Sequence, residues 1–270
     1  MDFGVCDMKG GIAAFLKAIT SIDYSKLKSG LKLYLTFDEE IGFNGIKSLL
    51  KTNEDIPKNV IVVEPTNLKP VVALKGDLDI KVTFFGKSVH SSIPNNGISA
   101  ILMVNSFINE LLVFSNELEK DTNEIFTVPY TTINVGKING GDSINKVPNL
   151  CVIEFDVRII RKEHAQMIKQ KLKEILTQYN CKIEIINEVM PLINDNTEFI
   201  EQIEELTQMK AIAENYVTEA NFIEGVNAVV LGAGPITAHQ TNEYVEIDKL
   251  NDLVKMYIKI IEQFCYIKED

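Results

Sequence analysis

Short apolar runs alternate with helical patterns near both ends of the chain, and this alternation constrains the fold more than any other feature. Apolar spacing predicts a helix over residues 12–22, a strand over 31–37, a helix over 44–51 and a strand over 60–63. Towards the other end, a predicted strand over 228–231 is followed by glycines and a final amphipathic helix. Strands that alternate with helices are typical of an α/β fold, with a mostly parallel sheet and helices on both faces.

The middle of the chain follows a different pattern. Leu78, Ile80, Val82 and Phe84 alternate with polar residues, which is the period of a strand buried on one face. With the elements that follow, the predicted order is βαββαβ, that of a ferredoxin-like α+β module. These elements are a helix with an apolar stripe of Ile98, Ile101, Leu102, Ile108, Leu111 and Leu112, strands over 131–138 and 151–159, a charged helix over 161–179 and a strand over 182–186.

Together these patterns predict two domains in a chain of 270 residues. Residues 1–75 and 188–270 are expected to form one α/β domain, and residues 76–187 a lid domain inserted into it. A sheet that is covered on one face only leaves its other face or an edge available to a partner. We therefore expect the first long helix of the lid and a neighbouring edge strand to pair with a second copy in a homodimer.

Composition argues against several kinds of partner. The chain has 38 acidic and 27 basic residues, a formal charge of −11, which is not the footprint of a protein that binds nucleic acid or anionic membranes. No apolar run approaches the ~20 residues needed to span a bilayer, and residues 1–4 lack a secretory pattern. The four cysteines are scattered, as expected of reduced thiols. We therefore expect a cytoplasmic, globular protein.

Residues that can bind a cation follow four of the predicted strands. Sites in open parallel sheets form beyond the carboxyl ends of the strands, so these residues are expected to converge. Clustered carboxylates repel one another unless cations compensate them, and oxygen and nitrogen ligands suit zinc, manganese or cobalt. The residues are Asp7 after Val5-Cys6, Asp38-Glu39-Glu40 after 31–37, Glu64 after 60–63, and His239 beyond the strand that ends at Leu231.

Each of these residues also has a simpler interpretation. Asp7 is equally suited to cap the helix that follows it, because an acid is favourable near a helix N-terminus. Asp38-Glu39-Glu40 is compatible with a solvated loop, Glu64-Pro65 with an ordinary turn, and His239 with a packed or surface histidine. The convergence of all four groups favours a metal site over any single alternative.

Five motifs together carry a resemblance to a known family. They are Asp7-Met8-Lys9-Gly10-Gly11, Asp38-Glu39-Glu40-Ile41-Gly42, Glu64-Pro65-Thr66, Ala238-His239-Gln240-Thr241-Asn242-Glu243 and, early in the lid, Ser88-Val89-His90-Ser91-Ser92. With these motifs the sequence resembles the di-zinc amidohydrolases, a family that includes acetylornithine deacetylase, succinyl-diaminopimelate desuccinylase, aminoacylase and related exopeptidases. The runs 64–70, 218–220 and 231–235 are most similar to the acetylornithine deacetylase branch.

The resemblance implies a role for each matching residue of the α/β domain. Asp7 would bridge two zinc ions, Glu64 would bind one of them, and Glu40 and His239 would bind the other. Glu39 would be the general base, which takes a proton from the attacking water and passes it to the leaving amine. A cis peptide bond after Asp7 is also expected.

The resemblance also implies substrate-binding residues. His90 would reach the active site of a partner subunit and stabilise the oxyanion of the tetrahedral intermediate. Asn145 and Arg158 would hold the carboxylate of the substrate. Glu219 and Gly234 would contribute to substrate binding in the α/β domain.

Two interpretations of Arg158 stay open at this point. Its strand face is opposite to that of the apolar residues Ile153 and Val157, which suits a guanidinium kept free for an anion. An ion pair with Glu154 or Asp156, on the same face as Arg158, is an equal alternative.

The sequence departs from the family in one respect. The family has an upstream His-x-Asp motif, whose histidine completes the metal site of Glu64 and whose aspartate orients the general base, and no such motif precedes Asp7 in this sequence. We therefore expect zinc, with cobalt as a possible substitute, at one site or at none, and weak or absent hydrolysis.

The leading functional hypothesis is a metal-dependent amidohydrolase that removes a small acyl group from an N-acyl amino acid, with acetylornithine as the first candidate. Alternatives within the class are a succinyl-diaminopimelate desuccinylase, a broader aminoacylase or a dipeptidase. An alternative from another class is a non-catalytic homologue that binds an amino-acid-like ligand.

Overall fold

The computed structural model describes residues 4–52 and 54–267. The chain divides into two compact units, each with its own sheet and core. The first unit comprises Met1–Leu74, Leu192–Glu214 and Thr218–Asp270, as far as these ranges are described, and the second comprises Lys75–Pro191 and Asn215–Val217. The second unit is therefore slightly longer than the predicted lid.

The described residues contain strands and α-helices in both units. The strands are β1 (Asn59–Val62), β2 (Val71–Leu74), β3 (Gly76–Phe85), β4 (Thr132–Gly140), β5 (Leu150–Ile159), β6 (Cys181–Val189), β7 (Leu192–Ile193), β8 (Ile212–Glu214) and β9 (Asn227–Val230). The α-helices are α1 (Gly10–Ile19), α2 (Asn44–Leu49), α3 (Ala100–Leu118), α4 (Lys162–Leu176), α5 (Thr197–Thr207) and α6 (Ile247–Cys265).

The five-stranded sheet of the first unit has the order β1-β9-β2-β7, with β8 also paired to β2. Strands β1 and β9 are parallel, as are β2 and β8, whereas β2 runs antiparallel to β9 and β7. The α/β fold class is confirmed, but the described ladders form a mixed sheet rather than a mostly parallel one. The reversal occurs at β2, the strand that leads directly into the second unit.

Helices α1, α5 and α6 supply most of the apolar core of the first unit. Ala18, Ile203 and Leu253 are fully buried, one from each helix, and pack with residues of β2 and β9. Tyr257 of α6 is also fully buried, and its hydroxyl donates a hydrogen bond to the carbonyl oxygen of Leu231 over 2.5 Å, which satisfies the phenol. The helices predicted over 12–22 and 44–51 are confirmed as α1 and α2 with shorter C-terminal ends.

Two of the predicted strands are not strands. In the described residues, the backbone groups of 30–36 make no backbone–backbone hydrogen bond, and Leu35 and Phe37 have 68% and 59% of their surface exposed. The segment Val5-Cys6 lies in an irregular helical turn, Val5–Lys9. The physical reason is the same for both: a strand exists only as part of a ladder, and no described segment pairs with either one.

The second unit confirms the βαββαβ order, as β3-α3-β4-β5-α4-β6. Its four strands are all antiparallel in the order β4-β5-β3-β6. Side chains alternate between a core that packs against α3 and α4 and a polar face. On β3, for example, Leu78 and Ile80 are fully buried, whereas Lys81 and Thr83 are partly exposed.

The predicted apolar stripe of α3 is only partly correct, because Leu111 is buried and Ile108 packs against the core, whereas the other four residues are exposed. The buried residues of this helix are Ala100, Val104, Phe107, Leu111, Phe114 and Leu118, a stripe with helical spacing that faces the sheet. Of the predicted residues, Ile101, Leu102 and Leu112 are 41%, 66% and 55% exposed. The helix is apolar on two faces, and the sheet can cover only one. No helix in the described residues is both long and apolar enough to span a membrane.

Candidate metal and catalytic site

Asp7 is held by backbone hydrogen bonds rather than by a sheet. It lies in the turn Val5–Lys9, and its peptide bond to Met8 is cis, as predicted. The N–H groups of Gly4, Cys6 and Asp7 donate to the carboxylate of Glu243 over 3.1, 2.5 and 3.0 Å.

Glu39 and Glu40 lie in the loop that precedes α2. The loop begins at Asp38, which has a positive φ of 58°. The N–H of Gly45 donates to the carbonyl oxygen of Phe37 over 2.9 Å, and a Cβ at Gly45 would lie 2.3 Å from the backbone nitrogen of Phe37. Only glycine therefore allows α2 to approach the start of the loop this closely.

Glu64 and His239 follow strands of the first sheet. Glu64 comes just after β1 and is 7% exposed. His239 lies in the long loop after β9, has a φ of 61°, and its side chain is 66% exposed. Left-handed backbone is strained for a histidine, and such strain is concentrated at functional sites.

The structure brings Asp7, Glu40 and His239 together, and we call these residues the first cluster. Nε2 of His239 lies 3.2 Å from Oδ2 of Asp7 and 3.1 Å from Oε1 of Glu40. One ligand atom from each residue lies within 4.8 Å of the others. Two carboxylates and an imidazole are a donor set that zinc and related divalent ions accept, so the residues fit such an ion.

Glu39 and Glu64 lie beside the first cluster. The carboxyl groups of Glu64 and Asp7 share a hydrogen bond, and burial, followed by the charges of Asp7 and Glu39, raises the pKa of Glu64 to about 9. Burial, followed by the charges of Glu40 and Asp7, raises the pKa of Glu39 to about 7. Raised carboxyl pKa values indicate a site with too little positive charge, which a divalent ion would supply.

Of the predicted substrate-binding residues in the first unit, Glu219 faces the carboxyl groups. Its Oε2 accepts a hydrogen bond from Oγ1 of Thr36 over 2.7 Å, its Oε1 is buried without a hydrogen bond, and its charge contributes to the raised pKa values of Glu39 and Glu64.

Gly234, the other predicted substrate-binding residue of this unit, has a clear packing role. A Cβ at this position would lie 2.5 Å from Oδ1 of Asn67 and 2.7 Å from its Cα. Close approach of two loops is sufficient to require glycine here.

In the second unit, His90 and Asn145 lie on neighbouring segments. The N–H of Ser91 donates to the carbonyl oxygen of Asn145 over 3.0 Å. Both predicted side chains are exposed, and Nδ1 of His90 lies 2.8 Å from Oγ of Ser92. The lid motif and the Asn145 loop therefore form one surface of the second unit.

Arg158 is ion-paired rather than free. Its Nη2 lies 2.8 Å from Oδ2 of Asp156, and its Nε lies 3.2 Å from Oδ1 of the same residue and 3.7 Å from Oδ1 of Asp77. Of the two interpretations left open, the structure shows the ion pair. Asp77, Asp79 and Asp156, which we call the second cluster, offer ligand atoms within 4.8 Å of one another.

Sequence reasoning missed the part played by Glu243, although this residue ends one of the quoted motifs. Burial would raise its pKa, but the backbone N–H groups of Asp7, Gly4 and Cys6 donate to it and lower the pKa below its usual value. Asp7 precedes Glu243 by 236 residues. An acid near a candidate histidine ligand was the only available signal, and it does not reveal such a distant backbone partner.

Comparison with known proteins gives a consistent result. Residues 72–183 match the family described as "Peptidase dimerisation domain". The chain is 31% identical over 274 residues to the acetylornithine deacetylase of Buchnera aphidicola subsp. Acyrthosiphon pisum (strain Tuc7), and 33% identical over 275 residues to that of Shigella sonnei (strain Ss046). Each alignment covers 97% of this chain and 72% of the relative.

Solved structures agree with the fold. A tripeptidase from Staphylococcus aureus subsp. aureus Mu50 matches with a TM-score of 0.79 at 21% identity, over 96% of this chain and 71% of that one. An M20 family metallo-carboxypeptidase from Sulfolobus solfataricus matches with a TM-score of 0.75 at 21% identity, over 96% of this chain and 76% of that one. With the relatives in sequence, these matches show that the chain belongs to the M20 family of metal-dependent amidohydrolases and peptidases.

Proposed function

We propose that this protein hydrolyses the amide bond of an N-acyl amino acid, with N-acetylornithine as its substrate. The observation that carries the proposal is the approach of Asp7, Glu40 and His239 to one another, with Glu39 beside them. The names of the relatives in sequence, which are acetylornithine deacetylases, support the choice of substrate.

Asp7, Glu40 and His239 would hold a divalent metal ion. When bound, such an ion polarises the amide carbonyl and lowers the pKa of a water molecule. Glu64, whose carboxyl group shares a hydrogen bond with that of Asp7, lies beside this cluster. We propose zinc as the ion at the first cluster, which cobalt can replace.

Glu39 would act as the general base. It lies beside the proposed ligands Asp7 and Glu40, whose charges act on it, and it contributes no atom to the first cluster. It would take a proton from the attacking water and deliver it to the leaving amine.

The second unit would act as the lid and dimerisation domain. His90 of one subunit would donate to the oxyanion in its partner, while Asn145 would bind the substrate carboxylate. Glu219 and Gly234 would bind substrate in the first unit. The exposed apolar face of α3 and the match to a dimerisation domain support a homodimer.

The acidic composition and the four free cysteines support a cytoplasmic location.

The test combines a zinc titration of metal-free protein with an assay of amine release. N-acetylornithine, N-succinyl-diaminopimelate, N-acetylmethionine and a dipeptide are compared at equal concentration, with Glu39→Gln as the inactive control. We expect zinc to bind and to support release of the amine from N-acetylornithine, and Glu39→Gln to abolish that release. Zinc binding without turnover of any compound would contradict the proposed activity, and a faster reaction with another compound would contradict the proposed substrate.

A further inference from the structure

We infer that Glu243 is a positioning residue, which fixes Asp7 in the geometry that metal binding requires. The inference rests on the proposed function, because it takes Asp7 to be a metal ligand. It assigns a task to a side chain that contributes no atom to the first cluster.

Asp7 lies in a turn that is closed by two backbone hydrogen bonds, from the N–H of Lys9 to Gly4 and from the N–H of Gly10 to Val5, and neither involves Asp7 itself. The turn Val5–Lys9 belongs to no strand ladder, and Asp7 and Met8 have non-helical backbone angles within it. A loop without a ladder or a regular helix has no repeating hydrogen bonds that fix its side chains.

The carboxylate of Glu243 holds the backbone of Asp7 directly. Its Oε1 accepts hydrogen bonds from the N–H groups of Cys6 and Asp7 over 2.5 and 3.0 Å, and its Oε2 accepts from Gly4 over 3.1 Å. Hydrogen bonds from backbone N–H groups to a carboxylate are charge-assisted and stronger than neutral ones. Glu243 is 9% exposed, so these bonds are largely protected from competing water.

Glu243 also connects the two chain segments that carry Asp7 and His239. Glu243 lies on the same loop as His239, four residues further along the chain. The hydroxyl of Thr237 donates to the carbonyl oxygen of Tyr244 over 2.8 Å, and the N–H of Tyr244 donates back to that hydroxyl over 3.0 Å, which closes this loop on itself. By binding the backbone of Asp7, Glu243 therefore connects the loop that carries His239 to the turn that carries Asp7. Groups behind metal ligands set the ligand geometry in this way.

The test uses Glu243→Gln, which keeps the size of the side chain but has only one acceptor oxygen and faces N–H donors with its amide. Glu246→Gln is the matched control, because Glu246 lies on the same segment, its side chain is 50% exposed, and it pairs with Lys249. Zinc affinity is measured by competition with a chromophoric chelator, and the site is examined through the visible absorption of the cobalt-loaded protein.

Mutation of residues behind metal ligands typically weakens affinity by about 10- to 100-fold, and we expect a loss of that size for Glu243→Gln, with a shifted cobalt spectrum. Glu246→Gln should leave both properties unchanged. If Glu243→Gln does not fold, as judged by circular dichroism, Glu243→Asp retains the charge with a shorter reach and should show the same loss to a smaller extent.

Two results would overturn the inference. One is a lowered unfolding temperature with unchanged zinc affinity and cobalt spectrum, which is the signature of a purely structural role. The other is an equal loss of affinity in Glu246→Gln. If the unaltered protein itself bound no zinc, the proposed function would fail instead.

Discussion

The two acidic clusters of this protein are built from similar side chains but are neutralised differently. The first cluster has two carboxylates and His239, and the second has three aspartates, each within 4.8 Å of the others. In the second cluster, Asp79 lies directly opposite Asp156 across the β3–β5 ladder, a like-charge pair that is unfavourable without compensation.

The second cluster contains its own cation. Arg158 forms a two-pronged pair with Asp156 and also approaches Asp77, while the amide of Asn187 donates to Asp77 over 2.8 Å. In the first cluster, His239 is the only basic side chain among the described residues that pairs with Asp7 or Glu40. Burial and neighbouring aspartates still raise the pKa of Asp77 to about 6, and they also raise the pKa of Asp79, so raised pKa values are common to both clusters. The clusters differ in that the second contains a guanidinium, which neutralises part of its charge.

The largest effect should follow from removing the proposed base. Glu39→Gln should lower kcat on N-acetylornithine by ~100- to 10,000-fold, because general bases contribute rate factors of this size. The control is Glu154→Gln, a glutamate of the second unit that pairs with Lys137 and should have little effect. Amine release at saturating zinc measures both. Equal losses would show that the effect of Glu39→Gln is not specific to the first cluster.

Zinc affinity should separate the two clusters next. His239→Ala leaves two carboxylates in the first cluster, and we expect a loss of affinity of at least ~100-fold, the upper end of the loss on mutating a residue behind a ligand. Asp79→Asn should not change the affinity, since Arg158 already compensates the second cluster. Chelator competition measures both variants, and weaker zinc binding in Asp79→Asn would place an ion at the wrong cluster.

The sequence predicted the structure well in the second unit, where the predicted strands pair with one another. The alternation of Leu78, Ile80, Val82 and Phe84 correctly indicated β3, which pairs on both sides with β5 and β6. The segment 31–37 has the same alternation, but no described strand lies beside it. Periodicity reports which residues prefer a strand, and pairing also depends on a neighbour that the local sequence does not encode.

The candidate site shows the same division. Its ligand residues were identified from their places after strands, although two of those strands, Val5-Cys6 and 31–37, are absent. The supporting contact of Glu243 with Asp7 and the pairing of Arg158 with Asp77 were not predicted from sequence reasoning. Both join residues that are distant along the chain, and their identity follows only from the packed loops and the register of the sheet.

Removing the internal cation should make the second cluster resemble the first. Arg158→Gln leaves Asp77, 4% exposed, without its guanidinium, and we expect the free energy of unfolding to fall by about 2 kcal/mol. Arg161→Gln, which breaks an exposed pair with Asp121, should cost less than about 1 kcal/mol. Urea unfolding measures both.

A second experiment adds Mg²⁺ or Ca²⁺ to proteins that carry His239→Ala, so that the first cluster cannot respond. The cation should stabilise the double variant with Arg158→Gln and should leave the single variant His239→Ala unchanged. The absence of this new response would weaken the charge-balance argument.

The most gradual effect should be the pH dependence of the metal-free protein. Burial and like charges raise the pKa values of Glu39 and Glu64 from 4.5 to about 7 and about 9, so the folded protein retains protons that the unfolded chain releases. The stability contributed by these protons is complete below the unfolded pKa and is lost as the pH rises through the folded values. Each proton changes the free energy of unfolding by at most about 1.4 kcal/mol per pH unit, so stability should decrease gradually between about pH 5 and about pH 9.

Urea unfolding in the presence of a chelator, repeated across this range, measures the slope. Glu64→Gln should flatten it, because a neutral amide has no proton to lose, whereas Glu54→Gln, which alters an exposed pair with Lys32, should not. Zinc should reduce the loss of stability at the alkaline end, because a divalent ion favours the ionised carboxylates that the pH rise creates. A stability that increased with pH in the metal-free protein would mean that these carboxyl groups are already compensated, and the first cluster would then have no need of an ion.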